Sequence, residues 1–591
     1  MRKHHGEGIH IGQLLLGALA VLAMLLAGCS TNGNAGSQLD ANQTFVWPDI
    51  GVTSVDDIEL DPANVQDYYS STFTNAIYGG LVTSDHNLNV KPDMAASWEV
   101  SPDGRQYTFH LRNNLHFSDG AAITAQDFAY SIDRALDPTV CQAYSGGACA
   151  GQQVAGTYLI NIVDADKRAA GTISSIIGTG IQVPDAQTLV IKLSSPVAYF
   201  LEALTYPTSF PVEQKLVDKY PLTVDNHKNH ADWTYHLNEG GCSGPFMIKS
   251  YAQDGKTITL VPNPYWYGPK PALKEIVRPF VQDTVDAYQS YKQGKYDYTD
   301  VPSQEYQAAR DQADFHEVGL LQTNYVGFNQ NVAPFDNVSV RQAFALALNK
   351  QLIADRVLNG AVLPTNHIIP QGMPGFDANL TAPSIDARSV TGDITQAQQL
   401  IKNYFSVCNC NGQLNIILYY PHNTDRQNTA AAMASMWNTI LSGSWGTVNV
   451  TTQDAGSVHN LIVTHLQYNL QNKKGQIQAW LLGWVADYPD PQDWLSLQFA
   501  QGSGNNWVNY RDDSAHHAWS LMSEADTEQN PSKRMDLYNQ AEQQLVDDVA
   551  WLPYMQPKGI WRIKTYVQGY NPSALNLLSD QDWANVSILA H

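Results

Sequence analysis

The chain has 591 residues, with 56 acidic against 34 basic side chains and a formal net charge of −22 at pH 7. That balance excludes a nucleic-acid binder, because phosphate capture needs clustered lysine and arginine and no such run occurs; acidity of this kind mostly serves solubility. The length is too great for one ordinary core and implies two to four domains at about 150 residues each.

At the start, Arg2 and Lys3 precede an uncharged apolar run from Leu14 to Ala27, the layout of a secretory signal. The run is shorter than the roughly 20 residues that cross a bilayer as a stable helix. Leu26-Ala27-Gly28-Cys29 then resembles the bacterial lipobox, in which small residues fit a dedicated peptidase and the cysteine is acylated. Residues 1–28 are therefore expected to be removed, leaving Cys29 as a lipid-bearing N-terminus on the extracytoplasmic face of the cell membrane; an ordinary signal peptide with an incidental cysteine is the alternative. Residues 29–43 open with the polar, Gly-containing stretch Ser30 to Ser37 and read as a tether. The folded body begins near Thr44.

Within the body, Gln106-Tyr107-Thr108-Phe109-His110-Leu111-Arg112 alternates apolar and polar positions, which predicts a half-buried strand. Ser101-Pro102-Asp103-Gly104 just before it is a turn and makes the pair a hairpin. Thr124-Ala125-Gln126-Asp127 puts a hydroxyl and a carboxylate three apart at a helix start, and that helix should stop before Pro138. Val340, Phe344, Leu348 and Leu352 recur every four residues after Asp336-Asn337, predicting one amphipathic helix closed by Gly360. Tyr538, Ala541 and Leu545 share a face after Pro531, before Pro553 ends the run. Strands and helices are interspersed and no short repeat occurs, so the fold class is α/β with more than one sheet.

Five cysteines remain beside Cys29. Cys141 and Cys149 flank a Gly-rich loop and are the preferred disulfide, two free thiols being the alternative. Cys408 and Cys410 stand one residue apart, a spacing that strains a direct bridge, and their state and that of Cys242 stay open. No histidine or cysteine cluster has zinc-like spacing, so neither metal nor cofactor is expected. The 30 tyrosines and 14 tryptophans mostly fill cores and rims, with a few left to stack on a ligand.

A long, ordered set of motifs resembles the oligopeptide and dipeptide solute-binding family. It begins with Leu60-Asp61-Pro62, Ile77-Tyr78-Gly79-Gly80-Leu81-Val82 and the run Pro92 to Gly104, and continues through Phe117-Ser118-Asp119-Gly120 to Asp137-Pro138. Gly244-Pro245-Phe246, Asn263-Pro264-Tyr265-Trp266, Gly327-Phe328-Asn329, Val340-Arg341-Gln342-Ala343-Phe344 and Ala486-Asp487-Tyr488-Pro489-Asp490-Pro491 keep the family order. Asn349, Cys242 and the loop around Cys149 depart from it. The resemblance implies a two-lobed periplasmic-binding-protein-like fold of type II, with an extra subdomain in the first lobe. It would put lobe I at 44–78, 206–320 and 553–591, the subdomain at 79–205 and lobe II at 321–552. It further implies a monomeric substrate receptor that closes on a peptide and docks on the permease of an ABC importer with its ATPase subunits.

The segment Ile477 to Asp487 reads as a nearly continuous buried strand broken by Gly483, where another backbone can come close. By the family's Asp-Tyr motif, Asp487 is the carboxylate for a peptide's α-ammonium; on the residues alone, capping the turn before Pro489 is the favoured role. Trp484 and Val485 adjoin the strand and Tyr325 lies beside the inferred crossover, so all three join Gly483 as candidate ligand contacts, with core packing the competing role for both rings. A sugar receptor of the same fold would use stacked rings and no charge pair. A secreted hydrolase would need a nucleophile, base and orienter, and neither a Gly-x-Ser-x-Gly elbow nor a His-Glu-x-x-His helix occurs.

Overall fold

The computed structural model describes residues 38–65, 67–140, 154–221, 232–382, 385–386, 389–456, 458–466, 477–512 and 517–591. Among them, three sheets of four or more strands carry a two-lobed α/β architecture. The first lobe is built on a five-stranded sheet that orders Thr44–Val46, Glu275–Val281, Thr257–Pro262 and Phe246–Tyr251, with Asp49–Ile50 also on Glu275–Val281. A separate four-stranded sheet orders Ala95–Val100, Gln106–Leu111, Thr188–Lys192 and Ile181–Asp185. Its second strand alternates as its sequence requires, with Tyr107, Phe109 and Leu111 buried, and Gly104 takes φ 68° in the turn before it.

The third sheet has eight strands and contains Gln413–Tyr420, Thr447–Asp454, Ala479–Val485, Gln322–Phe328 and the long strand Leu552–Ile563. Successive residues serve opposite faces. Val326, Phe328, Leu418 and Leu481 pack with helices Val338–Leu346, Ile394–Val407 and Thr424–Ile440. Tyr325, Trp480 and Leu482 pack on the other face with Trp494, Phe499, Tyr538 and Trp551. Where both faces are covered, along Gln322–Phe328 and the start of Ala479–Val485, the strands are buried without alternation, whereas Gln413–Tyr420 and Thr447–Asp454 alternate buried and exposed residues.

Leu552–Ile563 belongs to both lobes. Leu552, Pro553 and Met555 pair with Gln322–Phe328, whereas Lys558 to Arg562 pair with Phe315–Gly319. The chain crosses a second time between Gly319 and Gln322, right beside the first crossing, where Leu320 N–H donates to Pro557 O at 3.2 Å and Gln556 Nε2 to Leu320 O at 2.8 Å. These paired crossings are where any rotation of one lobe against the other would be absorbed.

Several sequence expectations are revised. Residues 38–43 are not a free tether: Leu39 bridges Leu589, Asp40 N–H donates to Ile588 O at 2.8 Å, and Gln43 Nε2 donates to the same carbonyl at 2.6 Å. The helix expected from 337 to 360 stops at Ala347, because Asn349 caps a new turn, Lys350–Leu352, by accepting from Leu352 N–H at 2.8 Å. Leu352, counted as core, is 45% exposed. Cys408 and Cys410 are joined in a disulfide despite their spacing, the chain turning after helix Ile394–Val407 to bring their Cα atoms to 5.3 Å. Cys242 is a buried free thiol. Residues 1–37, including Cys29, and the pair Cys141 and Cys149 lie outside the described residues.

The first lobe's core closes over a fully buried ion pair. Arg278 and Asp49 are each 1% exposed, and the guanidinium lies 3.9 Å from the Trp47 ring and 4.1 Å from Phe73. Asp49→Ala would leave that guanidinium buried and unpaired, at an expected cost of about 3–5 kcal/mol in urea unfolding monitored by tryptophan fluorescence.

Candidate functional site

Strand Ala479–Val485 is paired along its whole length with Gln322–Phe328, but on its other side only Ala479 and Trp480 meet Gln413–Tyr420. From Leu481 to Val485 that second edge has no ladder partner among the described strands. The open edge borders a cavity of about 970 Å³ between the lobes, lined by Leu482 to Asp487 on one side. Tyr68, Tyr69, Tyr158 and Tyr206 face them from the first lobe and its subdomain. This volume is at the upper end for small-molecule sites and suits an elongated ligand.

Four of the five predicted contacts border the cavity: Gly483, Trp484, Val485 and Asp487. Val485 is 37% exposed there. Trp484 is half-buried and its indole donates to Asp493 Oδ2 at 3.3 Å. The space beside Gly483 is taken by the Asn324 side chain of the paired strand, into which an added Cβ would run. Tyr325 does not reach the cleft. It sits three residues into its strand from Gln322, which does border the cavity, and it is 1% exposed, stacked on Trp551 at 3.7 Å. Its ring is part of the second lobe's core.

Asp487 is half-buried and receives the Tyr158 hydroxyl at 2.7 Å from across the cleft. Burial pushes its carboxyl up to about 7, and the Tyr158 bond opposes that rise. Its own N–H donates to Asp493 Oδ2 at 3.0 Å. Asp493 is 0% exposed, its Oδ1 has no hydrogen-bond partner, and burial together with the Asp487 charge holds it well above the usual carboxylate range. Arg534 is committed to Asp490 through bonds of 2.7 and 2.6 Å. Asp490 in turn caps helix Pro491–Trp494 by accepting from Gln492 N–H at 2.9 Å, so the turn has its cap without Asp487.

The lobes are closed. Tyr488 follows Asp487 out of the second lobe into the subdomain's core, where it stacks on Tyr199 at 5.9 Å and meets Tyr158 edge-on at 6.1 Å.

Sequence reasoning missed Tyr158, Asp493 and Arg426. Arg426 sits in the first turn of helix Thr424–Ile440, half-buried and lining the cavity. Burial lowers its basicity, the hydroxyls of Tyr554 and Tyr69 act against that, and among the described residues no carboxylate pairs with it. One signal was present: Arg426 is the sole lysine or arginine between Lys402 and Lys473.

The sequence pattern of the bacterial extracellular solute-binding proteins, family 5 Middle, matches residues 89–506. The chain belongs to this family. Among its relatives, the periplasmic oligopeptide-binding protein OppA of Salmonella typhimurium is 28% identical over 566 residues, covering 94% of this chain and 95% of OppA. The probable deoxycholate-binding periplasmic protein YgiS of Escherichia coli is 27% identical over 519 residues, covering 86% and 88%. Among solved structures, Haemophilus influenzae OppA in complex with RPPGFSPFR superposes with a TM-score of 0.74 at 23% identity, covering 94% of this chain and all of that one. The unliganded open form of Escherichia coli MppA scores 0.65 at 24% identity, covering 94% of this chain and 99% of that one. These structures share the two-lobed fold.

Tyr158→Phe removes a hydroxyl that favours the charged form of Asp487. The Asp487 midpoint is expected to rise further above 7, by on the order of one unit, in a carboxyl-carbon NMR titration.

Proposed function

We propose that this family member is the extracytoplasmic receptor of an ABC importer and that it captures peptides along the open edge of Ala479–Val485. The observation that carries this reading is the coincidence of an unpaired strand edge, a cavity beside it, and an uncompensated carboxylate at its end. An extended peptide adds to such an edge by main-chain hydrogen bonds, which every peptide can make whatever its side chains. Its α-ammonium pairs with Asp487, and its carboxylate falls to Arg426, the cation lining the cavity. Trp484 and Val485 provide apolar contact for alternate side chains. Support comes from the relatives named for oligopeptide binding and from the fold shared with the peptide complex of Haemophilus influenzae OppA.

The output of binding is closure, not turnover. A ligand that touches both lobes favours the closed state by its extra contacts there, and the closed protein offers the permease and its ATPase subunits a surface drawn from both lobes. The receptor works as a monomer held at the membrane by lipid on Cys29. Cys29→Ala is expected to shift the protein from the membrane to the soluble fraction of expressing cells, read by immunoblot.

Calorimetry with peptides of free and blocked termini tests the site. Asp487→Ala is expected to weaken a free-N-terminus peptide by about 2–5 kcal/mol and to leave its N-acetylated form unaffected, while Arg426→Gln penalises free acids over C-terminal amides. A ligand whose one charge is a carboxylate, such as the bile acid in the YgiS name, would respond to Arg426→Gln alone. A sugar would respond to neither.

A further inference from the structure

Asp493 does not border the cavity, yet it is the nearest group behind the anchor. It lies in the short helix Pro491–Trp494, its Oδ2 accepting from the Asp487 N–H at 3.0 Å and from the Trp484 indole at 3.3 Å. Both bonds need only a neutral acceptor, and an asparagine would supply one. What a carboxyl adds is a second oxygen, and that oxygen is fully buried with no partner. A buried, unpartnered charged oxygen is costly, so a purely structural account leaves the residue type unexplained. The groups facing the two carboxyls do not neutralise them. Tyr158 and Tyr206 approach from the subdomain with neutral phenols, Tyr488 and Trp484 flank them on the chain, and Asp490 behind them is matched by Arg534. Two carboxyls in such a place ionise in two separated steps, and the last proton to leave belongs to the pair.

We infer that Asp493 is a positioning residue that turns the ammonium anchor into a proton-exchange site: the empty pair holds one proton and releases it to solvent as the peptide's α-ammonium lands on Asp487. This rests on Asp487 being the ammonium anchor. The exchange balances charge, one proton leaving for one cation arriving, so below the midpoint the site's net charge is the same empty and bound. Because the bound form is deprotonated and the empty form is not, acid weakens binding. Affinity is full above the empty pair's midpoint and falls by about tenfold per pH unit well below it.

The test is calorimetry of tetra-alanine in phosphate and Tris, buffers with different heats of ionisation, between pH 5 and 8. The parent should release a fraction of a proton per peptide that grows as the pH is lowered through the empty pair's midpoint. Asp493→Asn keeps both acceptor bonds and removes the repulsion. Its affinity midpoint should drop by about one unit or more, and its proton release at each pH should fall with it. A parent that releases no proton overturns the inference, even if Asp493→Asn does not fold. So does an Asp493→Asn protein with the parent's pH profile. Asp487→Asn separates the two levels: if it abolishes tight binding while Asp493→Asn changes nothing, the anchor stands and the exchange falls. If Asp487→Asn binds as the parent does, or tetra-alanine does not bind the parent, the peptide-anchor reading fails and takes this one with it.

Discussion

Because Leu552–Ile563 is hydrogen-bonded into the ladders of both lobes, the halves cannot separate without deforming one continuous strand and the Gly319-to-Gln322 crossing tied beside it. Most of each lobe's hydrophobic packing is its own, and Tyr488 in the subdomain's core is a contact that a rotation of the lobes would break. The cleft inherits its precision from this arrangement. Gln322–Phe328 joins the crossing strand on one side and Ala479–Val485 on the other, so the candidate peptide edge lies just two strands from the crossing.

The charges in the cleft are divided unequally. Asp487 and Arg426 come from the second lobe, whereas the first lobe and its subdomain contribute tyrosines together with the carboxylates Asp67, Asp85, Asp166 and Asp582. An open protein would therefore display both proposed anchors on one lobe, and a ligand could engage them before the other lobe arrives. Closure then adds hydroxyl and ring contacts and excludes water from the charges, where each counts for more. In the closed structure Tyr158 donates to Asp487. The subdomain thus supplies a neutral substitute for part of what an ammonium would bring.

Much of the fold was legible because it rests on local patterns. The alternation of Gln106–Leu111, the Ser101-to-Gly104 turn and the helix from Pro531 each follow from spacing and turn chemistry within a few residues. Asp487 was singled out by the family's Asp-Tyr motif, and local spacing alone would have left it as a turn cap. The core position of Tyr325 was not legible, since Gln322–Phe328 is covered on both faces and carries no alternation to tell cleft from core. The break after Ala347 was hidden by a helical apolar spacing that persists across Asn349, whose capping preference outweighs it. Tyr158 and Asp487 are 329 positions apart and meet through lobe closure, which no local pattern encodes.

The junction of the two chain ends has a mechanical meaning. Residues 38–43 are stitched to Ile588 and Leu589, and this seam packs on the first lobe, whose core includes Val586 and Ile588. Any pull transmitted from upstream of residue 38 is therefore borne by that lobe through a zipper of main-chain bonds. The swinging lobe is out of the load path, so tension on a tether would turn the receptor as a whole and do no work on the clamp.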